Sequence, residues 1–229
     1  MYRKLVLNNG LRVVTERIPT LKSVTVGLWV NVGSRDEEAG EEGLSHFIEH
    51  MFFKGTRTRS ATQISREIDA LGGEMNAFTT RETTTFYVKV LDQQLKPALA
   101  LLADLFHHSR FDPKEVKKGK QVVLEELRMV EDDPEDLVQE LHQAQMLKRH
   151  PLGRSILGEE AAIQGLRREH LLRYISTHYH PRQIVVAVAG HFDPKELSAL
   201  LEASFGSFHR AASPSMNRWP SQVSGGLLV

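Results

Sequence analysis

Apolar residues along this chain recur with two different periods, and the switching between them sets the predicted elements. Strand-like segments, some alternating apolar with polar positions and some short and wholly apolar, are Leu5 to Leu7, Leu11 to Glu16, Ser23 to Val32, Glu74 to Phe78, Thr84 to Val90 and Ile184 to Ala189. Apolar positions three and four apart predict helices at roughly 41–53, 61–71, 93–108, 113–132, 135–148 and 167–178, with another at 194–203. The first two strands flank "NNG", a turn sequence that predicts a hairpin. Mixed elements in this order predict an α+β layer arrangement, with helices packed against one sheet.

The segment "HFIEH", in the first predicted helix, interrupts this scheme. Advancing about 100° per residue places Leu44, Phe47, Ile48, Met51 and Phe52 on one arc, with Glu42, Glu49, His50 and Phe53 opposite it. His46 and His50 stand four apart, so their rings point into the same space, which is a metal-ligand spacing. Glu49 is displaced to the other side, where a carboxylate can meet water without being a ligand. A plainer reading stays open: two of 11 histidines in 229 residues can fall at this spacing, each satisfied by a carbonyl or by solvent.

Composition narrows the chemistry. With 29 basic and 29 acidic side chains the formal net charge is zero, so no overall field favours nucleic acid or an anionic membrane. Apolar runs such as "IVVAVAG" are too short to span a bilayer. Cysteine is absent, so any metal must be held by nitrogen and oxygen. The N-terminal stretch lacks a signal-like apolar region, from which a cytoplasmic location is expected. Near the other end "HRAASPSMNRWPSQVSGG" is rich in Ser, Pro and Gly. Residues 1–210 are therefore expected to form one domain, and 211–229 a linker with the start of a missing second one.

A third ligand is sought on the long helix that opens at "DPKE". Asp112 suits the N-cap, Pro113 the first helical position, and Glu115 completes a capping-box pattern. Carrying that phase forward clusters Val122, Val123, Leu127, Met129 and Val130, with Glu126 inside the apolar arc and Glu125 at its margin. Gly119, two turns before Glu126 on nearly the same side, leaves room for something to approach. A carboxylate buried in such a face needs a partner, which is a metal or an arginine of another helix. Periodicity alone does not choose between them. Asp132, Asp133 and Asp136 surround Pro134 and read as a helix junction, while Gly72-Gly73 reads as a helix stop. Structural or surface roles are expected for His107, His108, His178, His180 and His191.

Together, "HFIEH", "GGEMNAFTTRETTTFYVKV" and "VVLEELRMVEDDPEDL" resemble the inverted-zincin peptidases of the pitrilysin and mitochondrial processing peptidase (insulinase-like) family. The resemblance extends to "HYHPRQIVVAVAGHFD" near the end. It implies zinc on His46, His50 and Glu126, with Glu49 as general base. It also implies a mixed, largely antiparallel sheet covered by helices, forming half of a clamshell. Asn76, Ala77, Phe78 and Thr79 correspond to the family's strand that pairs with substrate main chain. The expected activity is zinc-dependent endopeptidase cleavage of peptides or unfolded segments. A missing C-terminal domain or partner subunit, which brings an Arg-Tyr pair to the reaction centre, is implied too, and a homo-oligomer is compatible. Two alternatives stay open: a noncatalytic peptide-binding or assembly subunit, and an unrelated His-x-x-Glu-His hydrolase of small substrates. A closed pocket without a strand edge would favour the latter.

Overall fold

The computed structural model describes residues 2–148 and 150–208. Six strands form a single sheet: β1 (Tyr2–Val6), β2 (Arg12–Arg17), β3 (Ser23–Val30), β4 (Glu74–Thr79), β5 (Thr84–Leu91) and β6 (Ile184–Gly190). Their spatial order is β1-β2-β6-β3-β5-β4, and every neighbouring pair is antiparallel except β2 with β6. The α+β, largely antiparallel architecture expected from the sequence is the one observed, and β4 lies at an edge of the sheet.

Register explains why helices cover only one face. Val26 stands opposite Val88 and Val188, and Leu28 opposite Phe86 and Val186. These inward side chains are all buried. Their neighbours on the other face, among them Trp29, Lys89 and Ala189, are exposed. The two-residue period thus separates a covered side from an open one.

The helices are α1 (Leu44–Phe52), α2 (Ala61–Ala70), α3 (Leu95–His108), α4 (Pro113–Asp132), α5 (Pro134–Met146), α6 (Glu160–Gly165), α7 (Arg168–His178) and α8 (Pro194–Phe205). Short α6 was not predicted, because so few turns leave no period to read. Phe47, Ile48, Met51 and Phe52 of α1 are at most 1% exposed, so this helix is anchored by its apolar arc. Fully burying each such side chain contributes about 1.5–3 kcal/mol. The Phe52 ring centroid lies 4.7 Å from that of Phe86 on β5 and 5.2 Å from that of Phe106 on α3. Sheet, α1 and α3 therefore share one aromatic cluster.

The packing face of α4 is rotated from the predicted arc. Its buried residues are Val116, Gly119, Val123, Leu124 and Leu127, whereas Val122 is 43% and Met129 70% exposed. Gly119 decides this. A Cβ at that position would stand 3.0 Å from Phe47 Cε2 and 3.1 Å from Met51 Sδ, so the predicted room is filled by α1 itself. The capping box does not close either. Asp112 accepts from the Lys114 amide at 2.9 Å, but Glu115 accepts from Lys118 Nζ instead. At the acidic junction Asp133 caps α5, accepting from the Glu135 amide at 2.9 Å. The expected linker and second-domain start at 211–229 lie outside the described residues.

Candidate metal centre

Close packing of α1 on α4 at Gly119 brings three side chains to one point. His46 Nε2 and His50 Nε2 are 3.1 Å apart, and Glu126 Oε2 lies 3.6 Å from the first and 3.3 Å from the second. Among the described residues, these three form the one group of His, Asp and Glu whose ligand atoms all fall within 4.8 Å of one another. Glu126 belongs to the rim, not the core: its side chain is 37% exposed. The expectation of a buried carboxylate is corrected here. Glu126 flanks Gly119 on the side where α1 approaches, and its partners are imidazoles, with no arginine in the group.

Electrostatics suit a cation. Burial holds His46 down to about 3, reinforced by the neighbouring His50, and burial also lowers His50 against the opposing pull of Glu126. Both rings are therefore neutral at physiological pH, the form in which imidazole ligates metal. Two nitrogens and a carboxylate oxygen, with further coordination positions left to water or substrate, make a catalytic zinc donor set. The residues present fit such an ion.

Glu49 follows His46 around α1 and stays half-buried, with Oε2 accepting from the Thr79 hydroxyl at 2.6 Å. Burial pushes its carboxyl up to about 7, opposed by the Thr79 bond and assisted by the negative charge of Glu126. Thr79, Phe78 and Ala77 of the edge strand join His46 and Glu49 around a cavity of about 410 Å³. Asn76 does not line it; its side chain accepts from the Ala77 amide at 2.8 Å and points to solvent. Sequence reasoning assigned Thr79 to substrate without seeing that its hydroxyl faces Glu49. Ser155, Ile156 and Leu157, with Asp136, Gln139 and Glu140 of α5, also line the cavity and were not foreseen as part of the site. No periodic signal marks the loop that carries residues 155–157.

The remaining histidines of the sequence reading stay outside this group. His108 Nδ1 bonds Asp104 at 2.7 Å, His191 pairs with Asp92, and the His107 ring bonds the Ser204 carbonyl. Glu125 is paired with Arg128 at 2.6 Å on the solvent side of α4.

Known proteins are similar to this chain in sequence and in fold. A Bacillus subtilis protein described as the zinc protease YmxG is 43% identical over 208 residues, which cover 91% of this chain and 51% of that protein. A Mycobacterium leprae zinc protease is 45% identical over 201 residues, 88% of this chain and 45% of its own length. The chain thus spans about half the length of these relatives. A Helicobacter pylori protease superposes with a TM-score of 0.90 at 25% identity, over 95% of this chain and 53% of that one. The periplasmic protease PqqL of Escherichia coli gives 0.89 at 24% identity, over 97% of this chain and 26% of that one. This last neighbour overturns the cytoplasmic expectation. The fold serves a periplasmic protease, so the lack of an apolar stretch in this N-terminal sequence carries no statement about compartment. Residues 165–225 match the family described as the peptidase M16 inactive domain, and residues 12–160 match the insulinase family, peptidase family M16. The chain belongs to that insulinase (M16) peptidase family.

Proposed function

We propose that this chain is the metal-binding, water-activating part of a zinc-dependent endopeptidase, acting on peptides or unfolded protein segments. The observation that carries this is the convergence of His46, His50 and Glu126 beside a sheet edge, with Glu49 held between them and that edge. Zinc held there supplies Lewis-acid polarisation of a carbonyl and of water. The rest is derived from the chain's own residues. Glu49, its carboxyl raised toward neutrality by burial, takes a proton from the attacking water and returns it to the departing amine. Thr79 fixes the rotamer of Glu49 through one short bond. The outer edge of β4 offers unpaired backbone groups, to which an extended substrate adds as another strand. Ala77, Phe78 and Thr79 would line its path, with Asn76 holding the strand's backbone.

An available strand edge beside the metal group favours this reading over a small-substrate hydrolase. An intact set of His46, Glu49, His50 and Glu126 favours it over a noncatalytic subunit. Since the relatives are about twice as long, the reading places full turnover in the whole protein, with a second half closing over the edge strand. The test is made there. Glu49→Gln is expected to keep zinc and lose most peptide hydrolysis, and Glu126→Gln to lose zinc where Glu125→Gln keeps it. Parental cleavage by the Glu49 variant, or equal zinc retention by the two others after mild chelation, overturns the assignment.

A further inference from the structure

The ligand helix α1 begins without a cap of its own. Gly43 occupies the N-cap in the left-handed region, at φ 90°, and has no side chain to accept from the first amides. Its tight surroundings forbid a replacement: a Cβ there would stand 2.4 Å from the Leu157 carbonyl oxygen. The missing acceptor comes from an earlier segment of the chain. Glu37, itself buried, accepts from the Gly43 amide at 2.8 Å through one carboxyl oxygen and from the Ser45 amide at 2.7 Å through the other.

Two further bonds make this residue a junction. Arg154 Nη1 donates to the Glu37 carbonyl at 2.7 Å, and the residues that follow Arg154, from Ser155 to Leu157, line the cavity together with β4. The Ser45 hydroxyl meets Tyr174 OH of α7 at 2.8 Å, and that phenol also donates to the Gly33 carbonyl. His46 follows Ser45 directly. Its Nε2 faces the other ligands, while its buried Nδ1 has no hydrogen-bond partner among the described residues. Metal-ligating imidazoles are ordinarily oriented by a bond from the second ring nitrogen. Here the ring direction depends instead on where the backbone of α1 places it.

We propose that Glu37 is a positioning residue for the metal centre, acting as a cap supplied from outside the helix that fixes the first turn of α1 and through it His46. The inference rests on the zinc reading above. Burial pushes the Glu37 carboxyl up to about 8 against the Ser45 and Gly43 amides. Either protonation state leaves an acceptor lone pair on each oxygen, so both bonds survive titration. An amide does not: Gln at this position keeps one acceptor and sets an NH2 group against the other backbone N–H.

The experiment compares the whole protein with Glu37→Gln, Glu42→Gln and His50→Ala variants, by zinc competition against a chelator and by the visible spectrum after cobalt(II) substitution. Glu42 neighbours the same helix start, but its carboxylate bonds the Gly40 amide and none of α1. Glu37→Gln is expected to weaken zinc about 10-fold or more, the range seen when groups that orient ligands are removed, and to change the cobalt spectrum. Glu42→Gln should do neither. A purely structural role for Glu37 would lower stability and leave the spectrum unchanged, which overturns the proposal. If His50→Ala keeps parental zinc affinity, the metal reading itself falls. If His50→Ala loses zinc while folded Glu37→Gln keeps both affinity and spectrum, only the Glu37 inference falls. Should Glu37→Gln fail to fold, amide exchange in the unaltered protein decides. Protected Gly43 and Ser45 amides support the cap, and exchange as fast as in exposed loops refutes it.

Discussion

Gly119 controls how closely the two ligand-bearing helices approach, and replacing it by valine tests that directly. A Cβ would lie 3.0 Å from Phe47 Cε2 and 3.1 Å from Met51 Sδ, where carbon contacts prefer about 3.5–4.0 Å. Alanine therefore needs a shift of about half an ångström, shared between the Phe47 ring and the unbranched Met51 side chain. Its gain in helix propensity, about 0.8–1.0 kcal/mol over glycine, offsets most of the strain. Valine adds two methyl groups, each about 1.5 Å further out, on a side chain with one favoured rotamer in a helix. Phe47 and Met51 are fully buried, so beyond the small shift that alanine needs they have nowhere to retreat. Overpacking of this kind costs about 1–3 kcal/mol, and the propensity difference between valine and glycine recovers only a few tenths. The displaced helix carries Glu126, two turns on, away from the imidazole pair, and ligand distances tolerate only about 0.2 Å. Urea unfolding of the metal-free protein should show Gly119→Val destabilised by about 1–3 kcal/mol with Gly119→Ala near parental. Chelator competition should show zinc weakened at least about 10-fold for valine alone. Parental stability together with parental zinc affinity in Gly119→Val would refute the claim that this contact sets the site.

Thr79→Val removes the 2.6 Å bond to Glu49 while keeping the side-chain shape. Bonds to charged groups are worth about 1.5–3 kcal/mol, so kcat should fall about 10-fold or more with zinc content and KM near parental. A rise in KM at unchanged kcat would instead place Thr79 on the substrate. His178, against the Tyr174 ring on α7, is held down to about 4 from 6.5 by burial and then by His180. The fold thus prefers the neutral ring. Its contribution to stability is complete above pH 6.5 and is lost as the pH falls through about 4. Urea midpoints measured across this window should decline less for His178→Phe than for the parent, and parallel declines would count against the assignment.

Much of this protein is written locally in its sequence. The strand and helix periods gave the six strands and, but for short α6, the helices in their order along the chain, because a residue's neighbours along the chain decide which face it presents. The i,i+4 pair of His46 and His50 was legible for the same reason. So was the capping of α4 by Asp112 and the junction at Asp133, since these bonds reach only two residues along the chain. What the sequence left open depended on approach between distant segments. The phase of α4 placed Val122 and Met129 inward, and only the contact of Gly119 with Phe47 and Met51 shows why the helix turns them to solvent and sets Glu126 at the rim. That Glu126 meets imidazoles and not an arginine, that Thr79 holds Glu49, and that Glu37 caps a helix whose own N-cap is a glycine are decided the same way. Each joins residues separated by loops or whole elements, and hydrophobic periodicity records only which side is buried, not which partner buries it.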